Sequence, residues 1–174
     1  YEANKVSLDD VKAAAAYFAQ LTFAPRNHVI ETDTVPKTTV KDVGVLVKVP
    51  GGGTEPLGHR VIELPSDLRQ WELGNPHAQY TVYVPKGSIA RGAALVASGD
   101  GAVPCATCHG AKLEGTSIAP PLAGRSASYV VRQLYDIQYG TRQGPTVALM
   151  KPEVAHMAAD DRIAVAAYIA SLKP

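Results

Sequence analysis

Cys105-Ala106-Thr107-Cys108-His109 sets two thiols three positions apart with an imidazole directly after the second. Cys-x-x-Cys-His is the attachment signature of c-type haem. Each thiol adds across one vinyl group of the porphyrin to form a thioether, and the adjacent His supplies a nitrogen to the iron. The spacing has a mechanical reason. Two intervening residues let both sulfurs reach one edge of the macrocycle, and the next side chain then falls beneath the metal. Two thiols at this spacing also suit a redox dithiol or half of a zinc site. A zinc site needs further thiols or a His pair nearby, and Cys105 and Cys108 are the only two cysteines of the chain. A thioredoxin-like dithiol sits between a strand and a helix, whereas this one follows Gly99, Gly101 and Pro104 in a loop. A covalently tethered haem is therefore expected.

The elements that must position this group fall into three stretches. Residues 1–24 carry one helix, expected at 7–21. Ser7 is its cap, and Asp10 three positions on makes a start like a capping box. Residues 158–172 read the same way and repeat the first helix. Asp9, Asp10, Ala13, Ala15, Ala16, Tyr17, Ala19 and Leu21 match Asp160, Asp161, Ala164, Ala166, Ala167, Tyr168, Ala170 and Leu172 at a constant offset, which suggests duplication. Residues 25–85 differ in character. The β-branched runs at 39–49 and 60–64 and the partly alternating run at 79–84 are separated by Gly51-Gly52-Gly53 and several prolines. They predict short strands, loops and a hairpin. Pro36, Pro50, Pro65 and Pro76 argue against a long helix there. Trp71 is expected to anchor the packing of this connector, and His28, His59 and His77 to be ordinary polar residues. From 86 to 174 the chain turns helical. Ser88 is expected to cap a helix reaching Gly99. The haem motif follows in a loop, then a loop with Pro120-Pro121, a helix over about 128–139, an irregular stretch through Pro145, and the last helix.

Residues 86–174 resemble a class I c-type cytochrome. The resemblance rests on the haem motif, on Gly92 ahead of it with Tyr168 on the last helix, on Pro120-Pro121-Leu122-Ala123-Gly124, and on Met150-Lys151-Pro152 shortly before that helix. It implies an all-α cytochrome c fold in the C-terminal half, preceded by an N-terminal helix and an irregular, β-rich connector. It also implies roles. The first and last helices cross closely at Gly92, under the aromatic ring of Tyr168. The carbonyl of Pro120 accepts a hydrogen bond from His109, and Leu122 packs on the haem. Met150 supplies the second axial ligand, with Met157 in reserve. A core filler is the alternative role for Met150, and His156 is a weaker candidate ligand. Arg125, Arg142 and Tyr129 are candidates to meet the haem propionates, with Tyr135 and Tyr139 beside them. Three departures carry expectations of their own. Val96 replaces a usual aromatic residue, so the helix crossing should loosen. The loop at 98–104 is long and Gly-rich, and covers or exposes the haem edge. Ala158 stands where a Ser or Thr cap is usual, so the last helix should start less firmly.

The whole chain resembles the C-terminal half of a periplasmic two-haem cytochrome c. That implies one haem c in this chain and a second in a preceding N-terminal domain. Composition excludes other classes. The chain has 174 residues, a formal net charge of +1 and 46% hydrophobic residues. No concentrated basic face marks a nucleic-acid binder, and no apolar run is long enough to span a bilayer. Tyr1 is followed by neither a basic nor an apolar leader region, so the sequence is read as mature or as a fragment. The implied function is periplasmic electron transfer rather than enzymatic turnover. Its donor would be a dehydrogenase or quinol-oxidising complex and its acceptor an oxidase or reductase. The alternatives are a haem enzyme or sensor with an open sixth position, and a fixed subunit of a larger redox complex, membrane-associated through a partner.

Overall fold

The computed structural model describes residues 5–41, 44–99 and 101–174. Residues 1–4 of the first expected unit, Asp42 and Val43 of the expected 39–49 run, and Asp100 of the 98–104 loop lie outside the described residues. In chain order the elements are α1 (Leu8–Ala19), β1 (Asn27–Glu31), β2 (Thr34–Pro36), β3 (Thr38–Val40), β4 (Leu46–Lys48), β5 (Thr54–Pro56), β6 (Ile62–Pro65), α2 (Leu68–Glu72) and β7 (Tyr80–Val84). They continue with α3 (Ser88–Ser98), α4 (Ala106–His109), α5 (Ala127–Tyr139), α6 (Val147–Val154) and α7 (Ala159–Ser171).

The C-terminal half is a helical domain built around α7. Nearly every residue of α7 from Asp161 to Ala170 is buried. A helix covered on all sides must let its neighbours approach closely, and the alanines of α7 do so. α3, α5 and β1 all pack on it. On α3 the buried residues Ser88, Gly92 and Val96 recur every fourth position and form one stripe. A Cβ on Gly92 would lie 2.0 Å from the Ala164 carbonyl oxygen and 2.8 Å from Tyr168 Cβ, so only glycine permits this crossing. The crossing is therefore tight at Gly92, contrary to the looseness expected from Val96, which is itself buried in the core. α5 offers the stripe Ala127, Val130, Leu134 and Ile137.

Ser7 caps α1 as expected, accepting the Asp10 N–H at 3.1 Å, but the starts of α3 and α7 differ from expectation. Gly87, not Ser88, stands at the N-cap of α3. Ser88 is buried, and the carboxylate of Glu31 on β1 accepts the Ile89 N–H at 2.8 Å. Ala158 has no side-chain acceptor, yet α7 does not start loosely. Asp161 accepts the Ala158 N–H at 3.3 Å and also the Arg91 Nε–H at 2.9 Å. One local expectation is replaced: the haem motif forms one helical turn, α4, rather than a plain loop. One helix was not anticipated: α6 lies between the irregular stretch expected through Pro145 and the last helix. Pro152 lies near the end of α6, which hides the helix from a sequence reading because proline signals a break.

The connector is β-rich. β7 is the centre of a three-stranded sheet, parallel to β1 (Val29 opposite Val82) and antiparallel to β6 (Leu64 opposite Thr81). β2 pairs with β5, and β3 with β4 as a hairpin. Val35, Leu57, Ile62 and Leu64 form a small core of their own. Val82 and Val84, alternate residues of β7, are fully buried in the core of the helical domain. The connector is thus built onto that domain. Trp71 is half-buried on α2 and belongs to neither core.

Candidate functional site

The proximal side is assembled by α4 and the loop after it. Cys105 and Cys108 are half-buried free thiols on successive turns of backbone. The N–H of His109 donates to the Cys105 carbonyl at 3.0 Å. Burial pushes the Cys105 thiol up, helped by the carboxylate of Glu153 and opposed by a backbone hydrogen bond. His109 is 5% exposed. Its Nδ1 lies 2.8 Å from the Pro120 carbonyl oxygen. A carbonyl only accepts, so Nδ1 carries the proton in this bond, and the neutral ring then has its lone pair on Nε2.

The loop that carries Pro120 is tied back to the motif. Leu113 has φ of +59°, the one non-glycine residue with positive φ among those described. That turn aims its carbonyl at the Leu122 and Ala123 N–H groups, at 2.8 and 3.1 Å. Thr116 Oγ1 donates to the Cys108 carbonyl at 2.8 Å. Asn27 of β1 donates from Nδ2 to the carbonyls of Gly124 and Arg125 at 2.8 and 3.2 Å. This anchor from the connector was not anticipated.

A cavity of about 410 Å³ opens above α4, within the range of cofactor pockets. Cys105, Cys108, His109, Pro120 and Leu122 line it from the proximal side. Arg125, Tyr129 and Arg142 also line it, and so does Met150, half-buried on α6. All nine residues expected at the site thus border one space. Met157 and His156 border it too, with His156 exposed. Tyr135 and Tyr139 do not line it. Their rings face each other at 4.4 Å, and Tyr135 sits against Arg162, 5.6 Å from guanidinium carbon to ring centroid. The Gly-rich loop supplies Gly99, Gly101, Ala102 and Val103 to the wall. Arg125 donates from Nε to the Pro121 carbonyl at 3.1 Å.

Among the described residues, two buried side-chain polar atoms lack a hydrogen-bond partner: His109 Nε2 and Gln133 Oε1. Buried polar atoms are nearly always satisfied. Both of these belong to the wall of the same cavity. A lone pair on Nε2, two thiols at one edge and a methionine on another wall are a donor set suited to a covalently attached iron porphyrin. Gln133 was not among the expected site residues. It falls in the run from Tyr129 to Arg142 that resembles the corresponding helix of two-domain cytochromes, but the signal that singles it out is the unsatisfied atom, which only the packing reveals. His28, His59 and His77 are exposed and away from the cavity, and His59 pairs with Asp160 at 2.9 Å.

Comparison with known proteins gives a consistent assignment. Residues 89–173 match the family described as cytochrome c. A "Thiosulfate dehydrogenase electron acceptor" of Stutzerimonas stutzeri is 40% identical over 73 residues, covering 41% of this chain and 32% of that protein. "Cytochrome c-554(547)" of Halothiobacillus neapolitanus is 32% identical over 77 residues, covering 40% of this chain and 85% of that protein. The structure of reduced recombinant cytochrome c4 from Pseudomonas stutzeri aligns with a TM-score of 0.47 at 29% identity, over 52% of this chain and 50% of that one. The matched region therefore spans about a third of the first relative and half of the cytochrome c4 chain.

Proposed function

The chain belongs to the cytochrome c family, and from that membership we propose that it is a periplasmic electron carrier whose covalent haem c would be held by His109 and Met150. When bound, haem c supplies a one-electron Fe(III)/Fe(II) couple. The rest of the proposal concerns what the chain's own residues do. Cys105 and Cys108 tether the porphyrin edge. Pro120 fixes the ring of His109 and, by accepting its Nδ1–H, strengthens Nε2 as a donor. Met150 would hold the iron through a thioether from α6, a soft donor that together with His109 would favour the reduced state and raise the potential. Leu122, Val130, Leu134 and Ile137 exclude water. Arg125, Tyr129 and Arg142 meet the propionates. The observation that carries the reading is the bare, buried Nε2 of His109 facing a cavity that Met150 also lines.

With His109 and Met150 both holding the iron, these residues would leave no room on it for a substrate, so the chain would transfer electrons rather than turn over. The Met150→Ala variant tests this. Intact mass should still show covalent haem, while the low-spin spectrum gives way to a high-spin ferric form and the potential falls. An unchanged spectrum and potential would remove Met150 from the site. A high-spin spectrum in the unaltered protein would favour a haem enzyme or sensor.

The donor is proposed to be a dehydrogenase or quinol-oxidising complex, and the acceptor an oxidase or reductase. One relative is named for accepting electrons from a thiosulfate dehydrogenase. That name supports a second reading, in which the chain stands as a fixed partner of a dehydrogenase. Co-elution with a dehydrogenase from native extract favours the second reading, and elution alone favours the first. We further propose that α1 is the last helix of a preceding cytochrome domain with its own haem. α1 repeats α7 in sequence, yet none of its residues is buried. A parent polypeptide carrying one haem by mass would refute this.

A further inference from the structure

We infer that Glu153 is a clasp: its carboxylate, bonded to the backbone of the loop ahead of the haem motif, holds α6 against that loop and so keeps Met150 in its place on the cavity wall. This rests on the assignment of Met150 proposed above. The Val103 N–H donates to Glu153 Oε2 at 2.9 Å. Among the described residues it is the one hydrogen bond between α6 and residues 101–105. Glu153 and Met150 stand three positions apart on α6, which sets them on one side of the helix. Both border the haem cavity. Glu153 is also near enough to Cys105 for its charge to act on that thiol. The clasp therefore joins the element that carries the second axial donor to the segment that enters the first tether.

α6 needs holding from outside. It has eight residues and no side-chain cap at Thr146, and Pro152 lacks the N–H that would donate one turn back. On one side it is tied to α5, where Gln138 donates from Nε2 to the carbonyls of Ala155 and Met157, both at 3.1 Å. Glu153 ties the other side. The loop it grips is itself firm. A Cβ on Gly99 would lie 2.5 Å from the Val103 carbonyl carbon, so the chain folds back closely there. The Ala102 N–H donates to the Gly99 carbonyl at 2.9 Å, and the Cys105 N–H to the Val96 carbonyl of α3 at 3.1 Å. A carboxylate accepting a backbone N–H makes a charge-assisted bond. With that bond lost, α6 would swing from the loop and carry Met150 with it. Glu153 is thus a positioning residue, acting through Met150.

The test is a titration of the ferric holoprotein with imidazole, a neutral iron ligand that enters only when Met150 has let go. Its apparent affinity reports the fraction of molecules with Met150 displaced. Glu153→Ala should bind imidazole about fivefold or more tightly than the unaltered protein, the size expected for one hydrogen bond. The Val103 amide should lose protection from hydrogen exchange in the same variant. Glu153→Gln keeps an acceptor and drops the charge, and should titrate close to the unaltered protein. In the Met150→Ala background the effect of Glu153→Ala should vanish, since coupling exists only while both groups are present. If Glu153→Ala fails to fold, Glu153→Asp decides by the same titration, because it draws the carboxylate back by one methylene and should also raise the affinity. An unmoved imidazole affinity overturns the inference. So does an effect of full size in the Met150→Ala background, which places Glu153 at the mouth of the cavity instead. Equal behaviour of Glu153→Gln and Glu153→Ala also overturns it, since charge and not the bond would then be the cause. Failure of the Met150 assignment itself has a different signature: Met150→Ala would then leave the spectrum unchanged.

Discussion

The two ring nitrogens of His109 are treated oppositely by the fold. Nδ1 is bound to a backbone carbonyl at 2.8 Å, which no side-chain substitution removes. Nε2 is buried and bare. The tautomer required of a metal ligand is thus imposed before any metal arrives. Backbone contacts hold the loop responsible, through the positive-φ turn at Leu113. Gly92 is a second residue whose role is set by one atom. The nearest neighbours of an added Cβ are the Ala164 carbonyl oxygen and carbon, at 2.0 and 2.6 Å. These are backbone atoms of a buried helix and cannot swing away. Gly92→Ala should therefore destabilise the holoprotein by about 3 kcal/mol or more, the upper end for overpacked cores. Guanidinium unfolding followed at the haem absorption measures it, and a loss below about 1 kcal/mol would mean that the helices separate at little cost.

Among the elements, the connector strands act on the helices of the haem domain by capping them. Glu31 of β1 accepts from the first turn of α3. Glu63 of β6 accepts from the hydroxyls of Ser126 and Ser128 and from the Ser128 N–H, at the start of α5. Free N–H groups and the positive end of the helix dipole both favour a carboxylate there. Glu63→Ala should cost about 1–2 kcal/mol, as for the loss of a strong cap. Glu63→Gln should recover part of that, because it keeps an acceptor and loses the charge. Thermal unfolding of the three proteins is the measurement, and equal midpoints would show that Ser126, which accepts the Tyr129 N–H at 3.2 Å, caps α5 unaided. None of this was legible in the sequence. Glu63 and Ser128 are 65 positions apart, and capping rules read only neighbours. α6 was hidden for a related reason, since its helical form sets local proline chemistry against tertiary packing with α5.

For the molecule as a whole, the contrast between α1 and α7 separates local from tertiary causes. Both helices share the Asp-Asp start, the alanines and the Tyr. α7 is enclosed by α3, α5 and β1, whereas α1 leaves Leu8, Tyr17 and Phe18 more than 60% exposed. Removing residues 1–24 should therefore change the stability of the haem domain by no more than about 0.5 kcal/mol, the usual range for surface changes. Its visible spectrum should be unaltered. A thermal melt of the shortened chain checks this, and a fall of several degrees would mean that α1 braces the domain. Chemistry that depends on covalent spacing was readable from residue order: the two thiols with His109, and the helix start at Ser7; the roles of the Pro120 carbonyl and of Gly92 were implied by the family resemblance. It was readable because a haem edge and a helical turn have fixed dimensions, which sequence spacing must match. Only the tertiary structure decided that Val82 and Val84 close the helical core, that Asn27 and Glu63 reach across to hold its loops and helices, and that Gln133 faces the cavity. Those contacts join residues far apart in the chain, and their free energy comes from exclusion of water and from hydrogen bonds that exist only once the elements have packed.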